Sequence, residues 1–223
     1  MASSLDGRTL PSRWTPPDAQ LHALYDELHV RLGGGSWLVG RATAQEFARR
    51  DGYAGEVEAT FPRSAWLPHR EATAFAFAID AGGKVAWGRS EIGGDPIVVI
   101  LTEGVSDAHL AGLRGDGVGY VFAGKDALDL HAAMAALRRE LGVERLMLEG
   151  GGTTNGAFLR AGLVDEISLL LVPAIDGADG SPATFDGARD APRVPPPVAG
   201  LSLKSHEVMG NGTVWLRYAV RNR

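Results

Sequence analysis

The chain has 223 residues, with 22 Lys and Arg against 27 Asp and Glu and a formal net charge of −5 at pH 7. No cluster of basic residues is present to neutralise phosphates, so nucleic acid is not expected as a partner. There is no cysteine, which excludes disulfides, thiolate nucleophiles and Cys-ligated zinc or iron–sulfur centres. Asp6 and Arg8 break up the opening residues before any apolar leader core, and no apolar run reaches the roughly 18 residues of a membrane span. A cytoplasmic protein without membrane contact is expected.

In chain order, residues 2–8 read as a short strand running into a Ser-Leu-Asp-Gly-Arg turn. Pro16, Pro17 and Asp18 lead into a helix, with Asp18 or a neighbour as its cap. Leu21, Leu24, Leu28 and Leu32 fall at helical spacing, and Gly33, Gly34 and Gly35 stop the helix. Residues 37–39 form a buried strand that turns through Gly40, Arg41, Ala42 and Thr43 into a second helix ending near Phe47. Residues 51–70 are irregular. Strands follow at 75–79 and, less firmly patterned, at 84–87 across the 80–83 turn. The apolar run 96–101 reads as a strand covered on both faces. A short helix is expected at 105–113, a strand at 118–122, and a long amphipathic helix at 128–141 ended by Gly142. A strand at 145–149, a glycine turn at 150–152, a helix at 153–161 and a strand at 167–172 follow. The Pro-rich residues 192–197 lead to strands at 201–208 and 213–220, joined at Gly210, Asn211 and Gly212 by a hairpin turn. This alternation predicts an α/β fold of three layers, α-β-α, with a mostly parallel central sheet and a C-terminal antiparallel hairpin. No linker separates two complete cores, so 1–223 reads as a single domain.

Thirty glycines, about twice the usual share, point to tight turns or to backbone brought close to a ligand. The sharpest cluster is Glu149, Gly150, Gly151, Gly152, Thr153, Thr154, Asn155 and Gly156, after a strand and before a helix. Such a junction exposes backbone N–H groups at a helix N-terminus, where the dipole favours an anion. Without a Cβ, a pyrophosphate can approach the backbone. A tight connection with no ligand explains the glycines equally. The cluster lacks the Lys-Ser or Lys-Thr of a Walker loop and does not match the Gly-x-Gly-x-x-Gly fingerprint. Gly40, Arg41 and Thr43 sit at a second junction of the same kind, where Thr43 offers a hydroxyl and Arg41 a planar fork for phosphate. Together the two suit a ligand with two separated phosphate groups, held beyond the C-terminal ends of the strands.

Five peptides now carry a resemblance: Ser-Leu-Asp-Gly-Arg at 4–8, Leu-Val-Gly-Arg-Ala-Thr at 38–43, Leu-Glu-Gly-Gly-Gly at 148–152, Gly-Ala-Phe-Leu-Arg-Ala-Gly-Leu-Val-Asp-Glu at 156–166, and Leu-Val-Pro-Ala-Ile-Asp-Gly at 171–177. In that order they resemble the pyrimidine reductase family of riboflavin biosynthesis, whose fold is that of dihydrofolate reductase. The resemblance covers most of the chain and is tightest over 128–177. It implies NADPH-dependent reduction of a ribosylaminopyrimidine 5′-phosphate to the ribitylamino form, and a homodimer to which the C-terminal hairpin contributes. By position, Gly40, Arg41 and Thr43 would hold the adenosine 2′-phosphate end, and Gly150, Gly151, Gly152, Thr153 and Thr154 the pyrophosphate. The turn from Asp80 to Gly83 would line the adenosine side. Leu5, Asp6 and Gly7 would lie near the nicotinamide, with Ser12 and Trp14 at the mouth and Glu149 on the substrate.

Hydride transfer needs the donor and acceptor carbons held together, and a carboxylate such as Glu149 or Asp6 can stabilise an iminium ion or relay a proton. Each also has a plainer reading: Glu149 satisfying N–H groups of its own glycine turn, and Asp6 forming a turn. One departure concerns the substrate. The family follows the threonine at position 43 with Asp-Asp-Pro and then an arginine that addresses the substrate phosphate. This chain reads Ala44, Gln45, Glu46, with Arg49 and Arg50 as the arginines that follow. The alternatives are therefore a dihydrofolate reductase-type enzyme acting on a pteridine or other small heterocycle, and an NADPH-binding protein without catalysis. The six histidines show no metal-ligand spacing, so no metal is expected.

Overall fold

The computed structural model describes residues 1–18, 20–53, 55, 57–187 and 195–223. Of the Pro-rich stretch expected at 192–197, residues 192–194 lie outside the described residues. The elements in chain order are β1 (Ala2–Ser3), a 3-10 turn (Pro11–Arg13), α1 (Leu21–Arg31), β2 (Trp37–Gly40), α2 (Arg41–Phe47), β3 (Ala76–Ile79), β4 (Glu91–Ile92), β5 (Asp95–Leu101), α3 (Asp107–Gly115), β6 (Gly119–Phe122), α4 (Leu130–Leu141), β7 (Met147–Gly150), α5 (Gly152–Arg160), β8 (Glu166–Leu171), β9 (Val198–Val208) and β10 (Val214–Asn222). They fall into two compact units, residues 35–149 and residues 1–34 with 150–223.

In the unit 35–149, strands run in the order β4-β5-β3-β2-β7, with β6 also on β5. β2, β3, β5 and β6 are parallel, and β4 is antiparallel at the start of β5. Strands buried on both faces carry no polar side, and this is how β3 and β5 read. Val39, Ala76, Ala78, Ile97, Val99 and Leu101 pack with Ala44 of α2 and with Leu110 and Leu113 of α3. On the opposite face Leu38, Phe77, Val98 and Ile100 are buried as well. Side-chain caps start the two longer helices: Ser106 Oγ accepts the His109 N–H at 3.2 Å and Asp129 Oδ1 accepts the Ala132 N–H at 3.0 Å. Gly142 closes α4 in the left-handed region. Gly40 pairs with Ile79, so Arg41 and Asp80 leave neighbouring strand ends together.

The strand expected at 84–87 is not formed, apart from an isolated bridge between Ala86 and Arg50. Asp80 Oδ2 accepts the N–H groups of Lys84 (2.6 Å) and Val85 (2.7 Å), which commits them to a turn. The two-residue β4 had no sequence signal long enough to read.

In the unit 1–34 with 150–223, the strand order is β1-β8-β10-β9, with β1 parallel to β8 and the other pairs antiparallel. α1 lays Leu21, Leu24 and Leu28 into a core with Leu170, Val172 and Trp215. Its cap position is Gln20 rather than Asp18, whose Oδ1 accepts the Gln20 N–H at 2.8 Å. The hairpin closes as expected, with the Met209 N–H donating to the Thr213 carbonyl and the Gly212 N–H to the Met209 carbonyl. Among the described residues no helix is long and apolar enough to cross a membrane. Asp129→Ala is expected to lower stability by about 1 kcal/mol, the usual worth of an N-cap, read as a shift in the urea midpoint at constant slope.

Candidate functional site

The C-terminal ends of parallel strands are where open α/β sheets hold ligands, and in the unit 35–149 those ends carry Gly40, Arg41, Thr43, Asp80, Gly83 and Glu149. β7, which delivers Glu149, lies next to β2. Gly40 is the N-cap of α2 and no side chain accepts from the first turn; Thr43 is therefore not the cap but sits inside the helix. Arg41 is exposed and has no ion pair among the described residues, leaving its guanidinium available to an anion. Glu149 is half-buried at the end of β7.

Asp80 and Gly83 shape this edge. Asp80 is 1% exposed, with Oδ1 lacking a hydrogen-bond partner among the described residues. His109 Nε2 stands 4.0 Å from its Oδ2. Burial holds the His109 pKa below its ordinary value, against the opposing pull of Asp80. Gly83 has φ +60°, and a Cβ there would stand 2.4 Å from Val105 and 2.8 Å from His109. Only glycine fits that turn. His109 carried no signal in the sequence, because nothing local ties it to Asp80.

Arg50, one of the arginines available to a substrate phosphate, is taken up by the fold. Its Nη2 lies 3.3 Å from Asp116 Oδ1, while Asp116 Oδ2 accepts the Tyr53 hydroxyl (2.8 Å) and the Gly88 N–H (2.7 Å). Burial is the main cause that raises the Tyr53 pKa, so its phenol keeps its proton for Asp116. Arg49 is exposed.

In the other unit, α5 starts from Gly151 with no side-chain cap. α1 is also uncapped, whereas α3 and α4 supply their own acceptors. Among the described residues the first N–H groups of α5 thus have no capping side chain, Thr153 is exposed and Thr154 half-buried. The other glycines of this motif answer to packing. A Cβ on Gly152 would stand 2.0 Å from the Ala183 carbonyl, one on Gly156 1.9 Å from the Asp186 carbonyl, and one on Gly150 2.7 Å from Met1 Sδ. The ligand-free explanation of the glycines therefore accounts for Gly150, Gly152 and Gly156.

Asp6 is exposed and its carboxylate accepts three bonds, from Ser4 Oγ, from the Asp176 N–H (3.2 Å) and from the Gly177 N–H (2.8 Å). These bonds, Ser4 foremost, lower its pKa to about 2, so at neutral pH it is an anion with no proton to give. Ser12 is exposed in the Pro11–Arg13 turn. Trp14 does not take the mouth position expected for it: it is 4% exposed and packs with Leu21, Leu24 and Trp215 in the core. Among the described residues no three acidic or histidine side chains gather as a metal site.

Comparison with known proteins follows from this geometry. The family described as RibD C-terminal domain matches residues 80–215, more than half of the chain. The 2,5-diamino-6-ribosylamino-4(3H)-pyrimidinone 5′-phosphate reductase of Methanothermobacter thermautotrophicus is 38% identical over 92 residues, 41% of this chain and 42% of that protein. The protein of the same name from Aquifex aeolicus is 30% identical over 115 residues, 52% of this chain and 50% of its own length. The matches thus span about half the length of these curated relatives. Among solved structures, a pyrimidine reductase-like protein of Corynebacterium diphtheriae superposes with a TM-score of 0.69 at 19% identity, covering 100% of this chain and 90% of that one. Acinetobacter baumannii RibD gives 0.63 at 20% identity, over 99% of this chain and 56% of its own. At these identities the likeness speaks for fold, and the fold class is the α/β, dihydrofolate reductase-like one expected.

The lowered Asp6 pKa carries a sign. Its bonds are at full strength above pH about 4 and are lost as the pH falls through the folded value of about 2. A carbon-detected NMR titration should give Asp6 a midpoint near 2, with the Gly177 amide shifting at the same midpoint; a midpoint near 4 would show that the three bonds are not made in solution.

Proposed function

The chain belongs to the RibD C-terminal domain family, and we propose that residues 1–223 act as one NADPH-dependent reductase domain that converts a ribosylaminopyrimidine 5′-phosphate to its ribitylamino form. The observation that carries this reading is the start of α5. A helix led in by Gly151 has no capping side chain among the described residues and sets Thr153 and Thr154 beside its first N–H groups, which suits a pyrophosphate. The names of the curated relatives supply the substrate class.

In this reading Arg41, assisted by Gly40 and Thr43, holds the adenosine 2′-phosphate through a charge-assisted fork. Gly151, Gly152, Thr153 and Thr154 hold the pyrophosphate, with Gly150 turning the chain toward them. Asp80 and Gly83 fix the backbone that lines the adenosine side. NADPH, when bound, supplies hydride. The bond from C1 of the sugar to the ring oxygen would open, that oxygen taking a proton and C1 the hydride, leaving the ribityl chain. Positive charge builds on the C1–N unit as the ring opens, and the Glu149 carboxylate is the group assigned to stabilise it and to pass the proton. Asp6, held ionised at about 2, contributes a fixed negative charge instead. Ser12 is assigned to the substrate side. The reading is of a cytoplasmic enzyme.

The residues after Thr43 favour a second substrate class. Ala44, Gln45 and Glu46 replace the family's Asp-Asp-Pro, and Arg50 is engaged with Asp116. A dihydrofolate reductase-type enzyme acting on a pteridine or related heterocycle is the reading to test beside the first.

The same reading includes a homodimer through the C-terminal hairpin. Register sets Leu201, Leu203 and Val208 of β9 on one face with Val214, Tyr218 and Val220 of β10. Leu201, Leu203 and Val208 are 53%, 52% and 70% exposed. An apolar sheet face of this kind is self-complementary about a two-fold axis.

Three outcomes are expected. Nicotinamide absorbance should fall when NADPH meets the ribosylaminopyrimidine phosphate, and not when it meets dihydrofolate; the reverse selects the second class, and binding without turnover of either selects a non-catalytic protein. Arg41→Ala should weaken NADPH by roughly ten- to a hundredfold, the loss of about 1.5–3 kcal/mol for a charge-assisted bond, and NADH by less than about threefold on the same scale. Leu201→Lys combined with Leu203→Lys should convert a dimer to a monomer in light scattering.

A further inference from the structure

Gly152 and Gly156 lie one turn apart on α5, and each meets a carbonyl of the same downstream segment at a distance no Cβ tolerates. Three hydrogen bonds fasten that segment to the helix, and a fourth, from the Ala183 N–H, closes within the segment. The Asp186 N–H donates to the Gly152 carbonyl (2.9 Å), the Ala183 N–H to Asp186 Oδ2 (2.9 Å), Asn155 Nδ2 to the Thr184 carbonyl (2.9 Å) and Arg160 Nη1 to the Asp186 carbonyl (3.2 Å). Asn155 is 2% exposed, so its amide is committed to this contact.

The other side of the segment holds residues 4–9. The Thr9 N–H donates to the Pro182 carbonyl (3.0 Å), Arg8 Nη1 to the Ser181 carbonyl (2.8 Å) and the Leu5 N–H to the Ala174 carbonyl (2.8 Å), while Asp6 accepts from Asp176 and Gly177. Between the two attachments Ser181 Oγ is bonded to both carboxylate oxygens of Asp176, whose side chain is wholly buried. Residues 174–187 therefore form a closed belt that meets the 4–9 loop along one flank and the first two turns of α5 along the other, all within one compact unit.

We propose that Asn155 and Asp186 are positioning residues that buckle this belt to α5, so that the 4–9 loop and the start of α5 move as one body. Under the reductase reading, on which the catalytic consequence rests, this sets Asp6 and Leu5 relative to a dinucleotide gripped by its pyrophosphate. The mechanical coupling itself does not depend on that reading.

Amide hydrogen exchange on the full chain without ligand tests the coupling. Asn155→Ala should speed exchange at the Leu5 and Thr9 amides at least tenfold while amides of α1 and β10 keep their wild-type rates. Gly156→Ala, which drives a Cβ against the Asp186 carbonyl, should do the same more strongly; should it fail to fold, Asn155→Ala alone decides. Faster exchange at Asp186 with Leu5 and Thr9 unchanged would overturn the proposal. Turnover supplies the second readout. Asn155→Ala should lower kcat about tenfold with the KM for NADPH changed less than twofold, and faster exchange with kcat unchanged would refute the catalytic consequence. If the wild-type chain turns over no pyrimidine, the reductase reading fails while the exchange result still judges the belt.

Discussion

A backbone N–H at the start of a helix finds its acceptor in a capping side chain, in water or in a ligand. α3 and α4 provide theirs in Ser106 and Asp129. α2 and α5 are each led in by a glycine and have none. The functional reading rests on these open ends: under it an anion at α5 would satisfy groups that no described side chain caps, and Arg41 at α2 carries a positive charge free of any internal ion pair among the described residues.

The glycines of the 150–156 motif meet two demands at once. Gly150, at φ +113°, permits the turn that leads into α5. Gly152 and Gly156 are small because the 183–187 segment lies against them. A motif read only as a phosphate cradle would miss the second demand, and a motif read only as packing would leave Thr153 and Thr154 unexplained. The carboxylates divide similarly. Asp6 accepts from the Ser4 hydroxyl and from backbone N–H groups of another loop, while Asp80 Oδ2 accepts from backbone N–H groups of its own turn.

What could be read from the sequence was what local chemistry decides. The unbroken apolar run that became β5, the Gly142 stop of α4, and the two strand–glycine–helix junctions all announce themselves within a few residues, whereas the Asp129 cap of α4 falls inside the helix expected at 128–141. What could not be read depends on contacts distant in the chain. Residues 84–87 have a strand's composition, but Asp80 takes the hydrogen-bond donors of the first two. Trp14 sits beside a loop with functional neighbours, but Leu21, Leu24 and Trp215 enclose it. The partners of Gly152 and Gly156 come about thirty residues later, and Arg50 looks available for phosphate until Asp116 is folded beside it.

The proposal to test is that the start of α5 and Arg41 are each anion sites, the first suited to a pyrophosphate and the second to a 2′-phosphate. An NMR titration following backbone amides and arginine side chains reads both at once. The account predicts that the amides of Gly152, Thr153 and Thr154 shift with either NADPH or NADH, whereas Arg41 Nε shifts only with NADPH. Arg41 responding alike to both, or the three amides staying still while NADPH binds, would contradict it.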